Sequence, residues 1–398
     1  VIAAIIPTTN PTSTSIYKIL IAIKSGNAII GSPHPNAAKC TFAVFDILRK
    51  AAEQAGAPSG LISCMEIPSI EGASLLMKDP RIAMILSTGG PGIVRAAYSS
   101  GNPAIGVGAG NTPVYIELSA NLEKAVRDVI TGKSFDNGLI CSSEQTLISD
   151  KKIYDTVKKK LAEYRAYLTT AQEKEKLQSL MIKNGKLNVD IVGKYAVQIA
   201  EMAGFSVPRG TKILVAEVKE IGPGEPLTQE KLSPVLTMIA ADGPSMAIRR
   251  ANEVLNYGGL GHTAAIHTND ERIAVEFGMK TPVSRVVVNS PAVHGAVGKS
   301  SSLMRSLTLG CGTEGGNSIS DNVSPLHLIN RRRIAWETNP VNPTSLASAI
   351  TDEHVSIKGN YSRFDDAPAK KSQPAVYGES GISGQQIDQI IEAFRRKR

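Results

Sequence analysis

Val1-Ile-Ala-Ala-Ile-Ile-Pro-Thr-Thr-Asn10, then Pro11-Thr-Ser-Thr-Ser-Ile-Tyr-Lys-Ile-Leu-Ile-Ala-Ile-Lys24, then Ala28-Ile-Ile-Gly31, is the stretch on which the fold turns. Val1–Ile6 is apolar without a break and too short for a buried helix, so it reads as a strand covered on both faces. Ser15–Lys24 is longer and amphipathic, and Ala28–Ile30 returns to the short apolar pattern. The same alternation continues outward: Ala37–Ala55 follows, then Ile62–Ile67 with Ile70–Lys78, then Ala83–Leu86 before a Gly-rich turn. Repeated β-α units predict a parallel sheet with helices on both faces, a Rossmann-type α/β domain. Nucleotides bind beyond the carboxyl ends of such strands.

After Cys141 the texture changes. Charged helices are expected around Lys151–Tyr167 and Gln172–Lys183, another helical stretch over Val189–Ala203, a strand over Lys212–Val218, and α/β alternation through Val286–Asn289. The expected organisation is a nucleotide-binding domain over 1–139, a second α/β domain with the chemistry over 140–306, and a segment rich in Gly, Asn and Ser over 307–338. That segment should return to the first domain or serve oligomerisation. A linker is expected over 339–381 and a tail helix over 382–398, where Ile387, Ile390, Ile391 and Phe394 fall on one face and Arg395–Arg398 suit the negative helix end. The chain opens at Val1 inside an apolar run, so the start looks cut.

Composition narrows the class. The 398 residues are 42% hydrophobic and 20% charged, enough for large cores in two or more domains. No run approaches ~18 uninterrupted apolar residues, which argues against a membrane span. The net charge of +8 is scattered and aromatics make up 5%, so no stacking platform for nucleic acid is apparent. Cys40, Cys64, Cys141 and Cys311 are widely spaced without a CxxC, which fits reduced thiols in the cytoplasm rather than a disulfide framework. His262 and His267 are five apart, a spacing that does not bring both rings to one helical face, and no metal site is expected.

Two residues stand in suggestive contexts: Cys141 in Phe135-Asp-Asn-Gly-Leu-Ile-Cys-Ser-Ser-Glu-Gln145, and Asn10 directly after the first strand. Alone, each has a bland reading, as a small buried hydrophobe and a turn residue. Together with Ser87–Gly92, Gly106–Pro113, Glu230–Val235 and Gly261–His267, in this order, they resemble the aldehyde dehydrogenases. Ser306-Leu-Thr-Leu-Gly-Cys-Gly312 and Gly315-Gly-Asn-Ser-Ile-Ser-Asp-Asn322 resemble the CoA-acylating branch, especially the aldehyde half of bifunctional aldehyde-alcohol dehydrogenases. The resemblance spans about residues 1–335. It implies an aldehyde-dehydrogenase-like fold and oxidation of a small aldehyde through a Cys141 thioester, passed to coenzyme A.

The resemblance also implies site roles. Cys141 is the nucleophile, and Asn10 with the Cys141 backbone N–H forms the oxyanion hole. Aligning on Pro113 puts Val107 where hydrolytic relatives carry a Glu that activates water; a valine cannot act as a base. NAD, with NADP also open, is expected on Thr8, on Ser32, Pro33 and His34 after the second strand, on Ser87, Thr88, Gly89 and Gly92 of the Gly-rich turn, on Gly108, and on Glu230 at the nicotinamide ribose. His262 matches a family histidine near the active site; a structural histidine is the other reading. Cys311 reads as structural, and Gly298-Lys-Ser300 fails as a phosphate loop because position 293 is Val.

Alternatives remain open at this point. An acyl-phosphate reductase shares the fold and thioester chemistry, and an inactive structural homologue would keep the fold alone. Acetaldehyde is the default substrate, with succinate semialdehyde or sulfoacetaldehyde as alternatives if Arg305 and Lys299 face an anionic group. The partners implied are the aldehyde, CoA and a second copy of the chain in a homo-oligomer. The tail resembles encapsulation peptides that dock enzymes to bacterial microcompartment shells; folding back on the enzyme is the other reading.

Overall fold

Strand β1 (Ile2–Ile6) is buried along its length, and its residues divide between two cores by parity. Ile2, Ala4 and Ile6 pack with Ile19 of α1 (Pro11–Lys24) and Phe45 of α2 (Ala38–Gln54), whereas Ala3 and Ile5 pack with Met77 of α3 (Ile70–Lys78) and Ala97 of α4 (Pro91–Tyr98). A two-sided strand therefore reads as an unbroken apolar run. In this computed structural model residues 1–183 and 185–338 are described.

Strands β2 (Ile29–Pro33), β3 (Ile62–Cys64), β4 (Met84–Thr88) and β5 (Ala104–Val107) join β1 in a parallel sheet of order β3-β2-β1-β4-β5. The chain steps outward from β1 to β3 and then crosses back to β4, so the strand order reverses between β1 and β4. Such a switch point opens a crevice at the carboxyl ends of the two strands. Lys18 of α1 is fully buried beneath it and donates to the Ile5 and Leu86 carbonyls, both at 2.8 Å, which ties the two central strands together. Burial pushes its ammonium well below the usual lysine range.

The second sheet is also parallel: β6 (Thr112–Ile116), β7 (Glu144–Asp150), β8 (Ala166–Leu168), β11 (Ile213–Glu217), β12 (Val235–Ala241), β13 (Ala264–His267) and β14 (Val286–Val288), in the order β14-β13-β6-β7-β12-β11-β8. A two-residue pair, β9 (Ile182–Lys183) with β10 (Lys186–Leu187), is antiparallel and separate. Strand β6 and helix α5 (Leu122–Ser134) belong to this second layer, so the sheets part between β5 and β6, ahead of the 139/140 boundary expected from sequence. The expected helix over Lys151–Tyr167 is shorter, Tyr154–Glu163, and gives way to β8 after Arg165 takes a positive φ of 69°. Val189–Ala203 is likewise divided, into a 3-10 turn and a helix from Ala196.

Residues 1–331 form the first compact unit of the chain, which divides after Arg331. Within the first, the segment after Leu307 packs on the five-stranded sheet: Val323 and Leu328 join the core of α1 and α2, and Tyr17 Oη donates to the Val323 carbonyl at 2.6 Å. Residues 332–338 are exposed, without helix or strand. The expected linker 339–381 and tail helix 382–398 lie outside the described residues. Among the described residues no helix is long and apolar enough to cross a membrane.

Candidate active site

A cavity of about 640 Å³ opens beyond the carboxyl ends of β1, β2, β4 and β5, where the switch-point rule places it. Its walls come from Pro7–Asn10 after β1, Ser32–Pro35 at the end of β2, Thr88–Gly92 after β4 and Val107–Ala109 at the end of β5. The second layer contributes Leu139, Cys141, Glu230 and Leu232, and the return segment contributes Leu307 and Leu309.

Cys141 reaches the cavity through an unusual connection. Helix α5 ends at Ser134, and Asp136, Asn137 and Gly138 then take positive φ values of 48°, 50° and 71°. Left-handed backbone is costly for the first two and is held by context. Asn137 Nδ2 donates to the Gly193 carbonyl at 2.9 Å, and a Cβ on Gly138 would stand 2.4 Å from the Ser233 carbonyl oxygen. The turn is thereby pinned from both sides, which presents Cys141 three residues before β7 begins.

Behind the thiol stands His262, fully buried, with Nε2 3.1 Å from Cys141 Sγ and Nδ1 2.9 Å from Thr263 Oγ1. The arrangement suits a thiol that donates to Nε2 while Nδ1–H donates to Thr263. Burial pushes the Cys141 thiol up to about 12, with Glu230 adding to the shift and Arg285 opposing it. Burial and then Arg285 push His262 down to about 3. Both groups are neutral at pH 7, so the resting pair is thiol and imidazole. Arg285 fixes the histidine by donating to the His262 carbonyl at 2.8 Å and anchors the return segment at the Ser320 carbonyl at 2.9 Å.

Asn10 caps α1 in position only: its side chain makes no capping bond. Thr9 Oγ1 donates to Asn10 Oδ1 at 3.1 Å, which leaves the amide N–H groups for the cavity. Opposite, Glu230 Oε1 accepts from the Gly110 N–H at 3.2 Å, and burial pushes its carboxyl up to about 7. Leu232, two residues on, is held at a φ of 44° with its carbonyl accepting from Gly193 N–H at 3.2 Å.

Gly110 sits where these groups meet. A Cβ there would lie 2.0 Å from the Cys141 carbonyl oxygen and 3.3 Å from His262 Cγ. Gly110→Ala is therefore expected to cost about 1–3 kcal/mol of stability by overpacking. It should lower turnover about a hundredfold by displacing the thiol. Thermal melting and steady-state rates together check this; wild-type turnover would show that the contact relaxes freely.

The structure brings together most of the residues singled out in the sequence: Cys141, Asn10, Thr8, Ser32, Pro33, His34, Thr88, Gly89, Gly92, Gly108 and Glu230 all line the one cavity. Ser87 does not. It lies within β4, fully buried and paired in register with Ile5 and Gly106, so strand parity turns its hydroxyl away from the Thr88 side. His262 is also outside the lining, behind Cys141, whose Sγ its Nε2 contacts. Arg305 and Lys299 do not line the cavity.

The walls fit a dinucleotide. A Cβ added at Gly90, Gly92 or Gly108 would meet nothing within 4 Å, so backbone is open to close approach, and the buried Thr88 hydroxyl has no protein partner. Helix α4 begins at Pro91 with its N–H groups toward that space. Sequence reasoning missed Lys18, Arg285 and the apolar floor of Leu139, Leu232, Leu307 and Leu309. For Lys18 a signal existed, since it occupies the core stripe of α1 with Ser15, Ile19 and Ala22.

The aldehyde dehydrogenase family model matches residues 1–204. An acetylating aldehyde dehydrogenase from Geobacillus thermoglucosidasius is 48% identical with a TM-score of 0.84, covering 86% of this chain and 76% of that one. The chain belongs to the aldehyde dehydrogenase family. Within the family it resembles the acylating members and the bifunctional aldehyde-alcohol dehydrogenase AdhE of Escherichia coli (strain K12), which is 46% identical over 374 residues. That match covers 89% of this chain and 42% of the relative, so the chain spans about two fifths of that protein's length. A propionaldehyde dehydrogenase from Rhodopseudomonas palustris, solved with bound CoA and an acylated cysteine, is 33% identical with a TM-score of 0.77, covering 83% of this chain and 74% of that one.

Proposed function

We propose that this chain oxidises a short neutral aldehyde with NAD and passes the acyl group to coenzyme A. The observation that carries the reading is the Cys141 thiol hydrogen-bonded to a buried neutral imidazole at a cavity whose one lining carboxylate is Glu230. Cys141 Sγ bonds to the carbonyl carbon while its proton passes to His262 Nε2. Asn10 Nδ2 and the Cys141 N–H meet the charge that develops on the carbonyl oxygen. A bound nicotinamide nucleotide supplies the hydride acceptor, with Glu230 at its ribose and Thr88–Gly92 at its phosphates. The acyl group remains on Cys141 as a thioester. His262 releases the proton taken from Cys141 to solvent; the CoA thiol then attacks the thioester, its proton passing by way of His262 Nε2 to the departing Cys141 sulfur, so that acyl-CoA leaves and the thiol is restored.

Val107 supports acyl transfer to CoA over hydrolysis. It is buried in β5 and lines the cavity beside Gly108, where the family resemblance puts the water-activating Glu of hydrolytic relatives. Val107→Glu is expected to raise the share of free acid among the products, measured by mass analysis; an unchanged product ratio would contradict the assignment. The apolar floor supports acetaldehyde or a similar short neutral aldehyde. Because Ser32, Pro33, His34 and Pro35 bring no carboxylate to the adenosine end, NADP is accommodated as well. For the whole protein the reading is a cytoplasmic homo-oligomer.

The test is aldehyde-dependent NADH formation in the presence of CoA, of phosphate, or of neither. Sustained turnover with CoA alone supports the reading. Turnover sustained by phosphate would point to an acyl-phosphate reductase instead.

A further inference from the structure

Three basic or acidic side chains of the second layer are fully buried beside Glu230 and have no part in the chemistry above: Lys133, Glu144 and Lys231. Lys133 lies in the last turn of α5, Glu144 at the start of β7, and Lys231 next to Glu230. Gln145 joins them. Its Oε1 accepts from Lys133 Nζ at 3.1 Å and from the backbone N–H of Lys231 at 3.2 Å, the peptide that follows Glu230.

We propose that Lys133 is a positioning residue for Glu230: through Gln145 its buried ammonium holds the Glu230–Lys231 peptide in place, and its charge keeps the Glu230 carboxylate ionised for the hydroxyls of the bound nucleotide. The inference rests on the placement of the nucleotide ribose at Glu230 proposed above.

Among the described residues Lys133 has no carboxylate within ion-pair distance; its hydrogen-bond partner is Gln145 Oε1, and its charge acts on Glu144 and Glu230 from further off. The groups that face this cluster are few. Helix α5 supplies Lys133 and, nearer Glu144, Asp128. Strand β7 supplies Glu144, whose Oε1 accepts from the Ala292 N–H at 2.7 Å. The helix Ala292–Ala296 also places His294 edge-on to Phe135. Lys231 donates to the Leu227 and Gln229 carbonyls at 2.7 and 3.0 Å, and favours the Glu230 carboxylate after Lys133 does. On the far side Glu230 meets the Gly110 N–H and the neutral Cys141 thiol across the cavity.

Burial works against the charged form of each group: it pushes Lys133 down to about 7, and Glu144 and Glu230 up to about 7. Opposite charges within the cluster oppose that drift. Accepting from two ribose hydroxyls favours the ionised carboxylate, because protonation turns one of its two oxygens into a donor. Removing the Lys133 charge therefore raises the Glu230 pKa further and moves the acid limb of nucleotide affinity to higher pH.

The experiment measures NAD affinity by fluorescence titration from pH 6 to pH 9.5 in the full chain, for the parent, Lys133→Met, Gln145→Met and Glu230→Gln, with thermal melting alongside. Lys133→Met is expected to shift the acid limb upward by about one pH unit, an affinity loss of about tenfold at pH 7 that disappears by pH 9, where Glu230 is ionised in both proteins. A defect in packing alone would persist at every pH. Gln145→Met keeps the ammonium but removes the oxygen that links it to the Lys231 N–H, so it weakens binding at all pH values without moving the limb. Unshifted limbs in Lys133→Met, with Glu230→Gln still weakening NAD, would overturn the role given to Lys133. Parent-like affinity in Glu230→Gln would overturn the placement of the ribose, and the positioning role with it.

Discussion

Cys141→Ala is expected to lower aldehyde oxidation at least about a thousandfold and to leave NAD affinity nearly unchanged. The size follows from the role, because removal of an attacking nucleophile typically costs three orders of magnitude or more. The unchanged affinity follows from the geometry. Cys141 meets the cavity from the second layer, whereas the Gly-rich turn, the β2 loop and Glu230 form the walls proposed for the nucleotide. Steady-state rates and nucleotide titration check the two halves separately. Retention of more than about a thousandth of the rate would identify another nucleophile, and Cys311, at 2% exposure, offers no accessible one.

His262→Ala should come next in size, a loss of about a hundredfold to ten-thousandfold in turnover, the range for removing a positioned acid-base group. A distinct signature separates this role from packing. Because the thiol is pushed up to about 12 and the imidazole down to about 3, the free enzyme holds no thiolate-imidazolium pair. Alkylation of Cys141 by iodoacetamide should therefore rise about tenfold per pH unit from pH 7 to pH 10, since only the thiolate reacts. A plateau between pH 6 and pH 8 would show a preformed ion pair and contradict the neutral resting state.

Much of the five-stranded sheet was legible because β1, β2 and β4 are buried on both faces and short. Nothing local in Thr112–Ile116 distinguishes a strand of one parallel sheet from a strand of the next, which is why β6 reads as the end of the first domain. Parallel pairing is non-local: β6 lies between β7 and β13, the latter about 150 residues further along the chain. Lys133 and Lys231 were illegible for a different reason. Lysine is a surface residue by default, and the burial of these two becomes visible only with the Gln145 oxygen and the carbonyls that receive them, whereas Lys18 was marked by its place on the core stripe of α1. Ser87 misled because motif spacing treats a turn as continuous, while strand parity gives alternate residues to opposite faces. Cys141, Asn10 and Glu230 stood in ordered motifs, and these are the residues that meet at the cavity.

The central claim is that Cys141 carries the acyl group and CoA removes it. Intact-mass analysis tests it directly: the protein is mixed with acetaldehyde and NAD, first without CoA and then with it. The account predicts an acyl adduct that maps to Cys141, is stable for the time of measurement without CoA, and disappears on CoA addition as acyl-CoA forms in equal amount. Rapid loss of the adduct as free acid before CoA is added, or formation of acyl-CoA by Cys141→Ala protein, would contradict it.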